Sequence, residues 1–145
     1  MVNPDGQAKL DSQIVEATRD MEGISTLVLF GSRATGGSRP DSDLDIALLP
    51  ARDVPPPRRK LQARLASRLA DLAPGGRVDV VFLDEAPELL RQHILEHGRV
   101  IIQRDLSRWN ELRIATMREH GDREPYRRLL REAQKRRLTE GAERP

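Results

Sequence analysis

Apolar residues recur along this chain with two periods, one suited to helices and one to strands. Leu10, Ile14, Ala17 and Met21 fall at intervals of four, three and four, a single stripe that predicts a helix over 8–22, with Gly23 as its stop. Ile24–Phe30 is rich in β-branched and large apolar residues and predicts a largely buried strand. Gly31 to Asp41 interrupts it with loop chemistry, and a short helix is expected to open near Ser32. Ser42–Leu49 predicts a second strand with Leu44, Ile46 and Leu48 on one face, followed by a rigid link over Pro50–Pro57. Leu61, Leu65, Leu69 and Leu72 predict a helix over 58–72, which Pro74-Gly75-Gly76 ends. A third strand is expected at Val78–Leu83, a short helix at Pro87–Glu96, and a last strand at Val100–Ile102. Asp105 is a candidate cap for a C-terminal helix whose Leu106, Trp109 and Leu112 share a face with Thr116 and Met117. Another helix is expected over 124–138. Strands alternating with helices define an α/β (α+β) class, a sheet covered by helices.

Composition narrows this picture. The length of 145 residues suits one core, and with 37% hydrophobic and 33% charged residues the chain reads as a soluble globular protein. The apolar runs are strand-sized, so no membrane span is expected, and Met1–Asp5 lacks the pattern of a secretory signal. The absence of cysteine removes disulfides, thiol nucleophiles and thiolate metal sites, and a cytoplasmic protein is expected. Charge is uneven: residues 1–103 carry 13 Lys/Arg against 15 Asp/Glu, whereas residues 104–145 carry 12 against 8. The expected division is therefore an acidic body over 1–103 and a basic helical extension over 104–145. That extension reads first as a solvated helix rich in Arg–Glu pairs. An aromatic content of 3% leaves few platforms for stacking bases, so a nucleic-acid partner is not expected.

The chemistry concentrates between Gly31 and Asp45. Asp43 and Asp45 are two apart on a predicted strand, so both carboxylates point the same way while Leu44 and Ile46 point to the core. Two such carboxylates repel unless water or a cation separates them, and hard oxygen ligands on a stiff strand suit Mg²⁺. Gly31-Ser32 follows a buried strand directly. Glycine permits a sharp turn and close approach of a ligand, and Ser32 adds a hydroxyl and an N–H at a helix start, where phosphate is favoured. Each half alone has a plain reading, a solvated acidic strand and a capped turn. Together they supply what a triphosphate held through Mg²⁺ requires.

Three other motifs come close to fitting. Gly31–Ser38 approaches a P-loop, but the lysine position is Gly37. Asp41-x-Asp43-x-Asp45 starts like a calcium loop, but its glycine position is Ile46 and its final glutamate position is Arg52. His93-Ile-Leu-Glu96-His97 matches an inverted zinc-peptidase pattern, yet reads better as an exposed face at a helix end.

Gly31-Ser32-Arg33-Ala34-Thr35-Gly36 with Ser42-Asp43-Leu44-Asp45 resembles the DNA-polymerase-β-like nucleotidyltransferases, and most of all their minimal, single-domain MNT branch, over about residues 8–103. The resemblance implies a mixed sheet flanked by helices. It implies that Gly31, Ser32 and Arg33 hold nucleotide phosphates and that Asp43 and Asp45 bind Mg²⁺ with a third carboxylate on a neighbouring strand. Asp79 matches that position. It interrupts an apolar strand, where a buried isolated carboxylate is costly, whereas Asp84 falls at the strand's end. Many members carry arginine where this chain has Thr35, which removes one phosphate contact; Arg33 and Arg39 remain as candidates. The resemblance further implies transfer of AMP from ATP to a hydroxyl of a partner protein, in an antitoxin that neutralises a HEPN-domain ribonuclease toxin and forms a hetero-oligomer with it. An aminoglycoside-type antibiotic nucleotidyltransferase and a catalytically inactive binding antitoxin are the alternatives. The apolar face of the tail, with Leu106, Trp109, Leu112 and Met117, is expected to pack on the chain's own core, with docking to a partner as the alternative, and Tyr126 reads as a packing residue.

Overall fold

Four strands form one mixed sheet, in a computed structural model that describes residues 4–35, 42–122, 131, 132, 134 and 135. The strands are β1 (Ile24–Phe30), β2 (Leu44–Pro50), β3 (Val78–Phe82) and β4 (Arg99–Gln103), in spatial order β3-β2-β1-β4. β1 is antiparallel to both β2 and β4, and β2 is parallel to β3. A parallel pair needs a crossover, which α3 (Arg59–Leu69) and a 3-10 turn (Ala70–Leu72) supply. The other helices are α1 (Pro4–Thr18), α2 (Ser32–Thr35), α4 (Glu88–His97) and α5 (Leu106–Asp122).

Both faces of the sheet are covered, which explains why β1 is buried at six consecutive residues, Ser25 and Thr26 included. On one face Leu27, Leu29, Leu44, Ile46 and Leu48 pack with Ile14 of α1 and Leu65 and Leu69 of α3. On the other, Val28, Ala47, Leu49 and Leu83 pack with Ile94 of α4 and Trp109 of α5. The predicted apolar face of β2 is therefore only half of its burial.

Two helices differ from their predicted form. α1 stops at Thr18, four residues short of the expected end, and Arg104 binds the carbonyls at and just beyond that end. The guanidinium donates to Met21 O (2.6 Å) and Thr18 O (3.1 Å), and Met21 reaches the core from a turn. In α5, Asp105 caps as expected, its carboxylate accepting from Arg108 N (3.0 Å). Its apolar face divides, however. Trp109 is 8% exposed, and Leu112 and Thr116 follow it inward, but Leu106 and Met117 are 61% and 68% exposed. Met117 lies about 100° round the helix from Thr116 and so turns away from the sheet. Of the helix expected over 124–138, only Arg131, Glu132, Gln134 and Lys135 are described, all helical; Arg39 and Tyr126 lie outside the described residues.

Candidate active site

The site begins where β1 ends. Gly31 takes φ +75°, a left-handed conformation that glycine adopts without strain. A side chain there would also collide with the Asp45 carboxylate. The bend is therefore pressed against the acid. The register agrees, since Phe30, one residue before Gly31, lies opposite Asp45. Ala34 N donates back to Gly31 O (3.2 Å), which opens α2 with Ser32 as its first residue.

The acids come from two adjacent strands. Asp45 on β2 is directly opposite Asp79 on β3. Asp43 precedes β2, and its Oδ1 accepts from Arg77 N (2.9 Å), which ties the approach to β2 to the approach to β3. All three belong to the sheet face that carries Ala47, Leu49 and Val81 further along. α4 and α5 cover those apolar residues and leave the acidic end open: Asp43 and Asp79 are exposed and Asp45 is half-buried. Burial pushes the Asp45 carboxyl above its ordinary value, and the charges of Asp79 and Asp43 push it further.

Like charge thus adds to the effect of burial at this carboxyl. A dication would relieve it. Among the described residues no three His, Cys, Asp or Glu side chains close around an ion by themselves. An open, all-oxygen set suits Mg²⁺, which takes one or two carboxylates and fills its shell with phosphate oxygens and water.

The surroundings sort the remaining candidates. Asp84, the rival to Asp79, is taken up by structure. Both of its oxygens accept from Arg58 Nη1 (3.0 and 2.9 Å), and Arg108 Nη2 approaches to 3.5 Å. Arg33 donates through Nη1 to Leu72 O (2.6 Å) and so anchors α2 to the turn after α3. Two residues that sequence reasoning passed over hold the other side of α2. Arg99 donates to Ala34 O (3.0 Å) and pairs with Asp11 (2.8 Å), while Gln7 Nε2 reaches the same carbonyl (3.3 Å). Nothing in their local sequence marks them, because they act on main-chain carbonyls brought close only by folding. His93 and His97 lie on the exposed side of α4 with rings 4.9 Å apart, and His97 Nε2 is 3.7 Å from Glu96.

Carboxylates from two adjacent strands thus stand beside a glycine bend that opens a helix at Ser32. The Polymerase beta nucleotidyltransferase family matches residues 12–107, and the chain belongs to that family. None of the curated proteins matches it. Among solved structures, a chain of a toxin–antitoxin with AMP-PNP is similar at 24% identity, covering 85% of this chain and 96% of that one, with a TM-score of 0.63. A chain of the tri-AMPylated Shewanella oneidensis HEPN toxin in complex with MNT antitoxin is similar at 23% identity, covering 88% and 97%, with a TM-score of 0.59. A chain of the toxin–antitoxin MntA-HepT is similar at 21% identity, covering 87% and 97%, with a TM-score of 0.58. These likenesses concern the fold. Among the described residues no helix is long and apolar enough to cross a membrane.

Proposed function

We propose that this protein transfers AMP from ATP to a hydroxyl of a partner protein, and that it acts in the cytoplasm as the antitoxin of a HEPN-domain ribonuclease toxin with which it forms a hetero-oligomer. The observation that carries the reading is the pairing of Asp45 with Asp79 across β2 and β3, with Gly31 pressed on the same carboxylate. Family membership supports nucleotidyl transfer. The protein acceptor is drawn from structures of the same fold, which include an AMPylated HEPN toxin and an ATP analogue.

In this reading Asp43, Asp45 and Asp79 hold Mg²⁺, which when bound neutralises triphosphate charge and polarises the reacting oxygens. The chain's own groups do the rest. Ser32 and the N–H groups of the Gly31–Ser32 bend receive the β- and γ-phosphates. Arg33, Arg99 and Gln7 keep that bend in place from two sides. Asp79, exposed at the open end of the site, takes the proton of the acceptor hydroxyl. The acceptor oxygen bonds to the α-phosphorus, the bond to the bridging oxygen breaks, and pyrophosphate leaves with its electron pair.

The test is labelling with ATP carrying its label on the α-phosphate, with Mg²⁺ and a HEPN partner. Label on the partner is expected. The Asp43→Asn, Asp45→Asn double variant should stay folded and lose at least about 10²-fold in rate. Near-normal transfer by that variant ends the proposal. Label on an aminoglycoside would identify an antibiotic-modifying enzyme, and a complex without label would identify an antitoxin that acts by binding.

A further inference from the structure

One edge of the sheet runs straight into the site. β3 is paired with β2 alone among the described residues. Leu44 N donates to Arg77 O (2.8 Å) and Leu83 N to Leu48 O (2.9 Å), so residues 79 and 81 turn their main-chain groups toward β2. In a parallel ladder the alternate residues then turn theirs outward. Two outward carbonyls are occupied, Val80 O by Gln62 Nε2 (2.8 Å) and Phe82 O by Glu85 N (3.1 Å). The N–H groups of Val78 and Val80 line the rest of the edge. Between this edge and α3 lies a crevice of about 500 Å³, lined by Arg59, Gln62, Ala63, Ala66, Val78 and Asp79 among others. It therefore runs from the Asp79 position on the edge to the first turn of α3.

At the far end Arg59 also borders a second, larger cavity of about 670 Å³, together with Lys60 and Arg64, with Glu22 and Asp53 on its rim. Cations at a helix start oppose the macrodipole. α3 nevertheless opens with Arg59 and Lys60, carries no acidic residue in its first turn, and has no side-chain cap. Helix stability does not account for this cluster, whereas its continuity with the crevice does.

We propose that the acceptor protein presents its hydroxyl from an extended, acidic segment that lies along the outer edge of β3, with its acidic side chains on Arg59, Lys60 and Arg64. This rests on the transfer reading above. A strand edge paired on one side only takes a polypeptide by main-chain pairing, with alternate side chains in pockets. The small and aliphatic walls admit a strand, and the absence of an aromatic ring among the residues lining the crevice gives bases nothing to stack on. Asp79 to Leu83 spans about 13 Å at the usual strand rise. Successive strand side chains alternate faces, and α3 covers the face opposite Asp79, so the acidic residues of the acceptor lie at odd spacing, five or more positions from the modified hydroxyl.

The test uses two variants outside the acidic trio: Ala63→Trp, which fills the crevice from an exposed helix position, and Arg59→Glu with Lys60→Glu and Arg64→Glu. Transfer of label to the HEPN partner is measured with AMP-PNP binding and partner binding by calorimetry. For each variant we expect KM for the protein acceptor to rise at least tenfold, with kcat and AMP-PNP affinity within twofold of wild type. The triple variant should also lose the salt dependence of KM. Unchanged KM and partner binding in both variants would overturn the inference. If the wild type labels no partner, the transfer reading falls. Tenfold weaker partner binding by both variants would still establish the edge as the docking surface.

Discussion

Asp45 carries the electrostatic tension of the site. Its carboxyl is raised by burial first and by Asp79 and Asp43 after that. A carboxyl raised in the folded state favours the protonated form, so its contribution to stability is full below the ordinary carboxylate range and is lost as pH climbs through the raised value. At neutral pH the cation-free protein thus carries a destabilising charge that Asn would not. Thermal melts of Asp45→Asn between pH 4 and 8 should show a midpoint a few degrees above wild type at pH 7, converging at the acid end. Added Mg²⁺ should raise the wild-type midpoint and leave the variant unmoved. A variant less stable than wild type at pH 7 without Mg²⁺ would show that Asp45 has a favourable partner instead.

The bend between β1 and α2 is where element geometry becomes chemistry. Gly31 must be left-handed for the chain to leave β1, and it must lack a side chain for Asp45 to stand beside it. Gly31→Ala should cost about 1–2 kcal/mol from backbone handedness alone. The collision with Asp45 acts on function more than on folding, because the carboxylate, on an open part of the sheet, can swing aside. We expect urea denaturation to show a modest loss of stability while transfer falls by about 10²-fold, in line with misplaced catalytic groups. Equal losses in both measurements would mean that the bend serves only the fold.

Covering the sheet on both faces explains why the site can be open at one end without the protein falling apart. α1 and α3 close one face, α4 and α5 the other, and Trp109 is the largest side chain of the second cluster. Trp109→Ala should cost about 3–5 kcal/mol. AMP-PNP affinity, measured below the variant's melting temperature, should stay within twofold, since Trp109 supports the covered part of that face and not its acidic end. The strands and helices were largely legible in order and kind, because buried strands and amphipathic helices imprint their periods on the chain. So were the bend at Gly31–Ser32 and the spacing of Asp43 and Asp45, because each lies within a few neighbouring residues. The end of α1 at Thr18 was not, and Arg104, which binds there, reaches it from 86 positions away. Nor was the outward turn of Leu106 and Met117, which depends on how far the sheet extends beneath α5. Local spacing thus specified the elements and the residue types suited to phosphate and cation. The facing of Asp45 and Asp79, the diversion of Asp84 to Arg58, and the bracing of α2 by Arg99 and Gln7 came only with folding, because hydrogen bonds and charge repulsion act through space and leave no period in the chain.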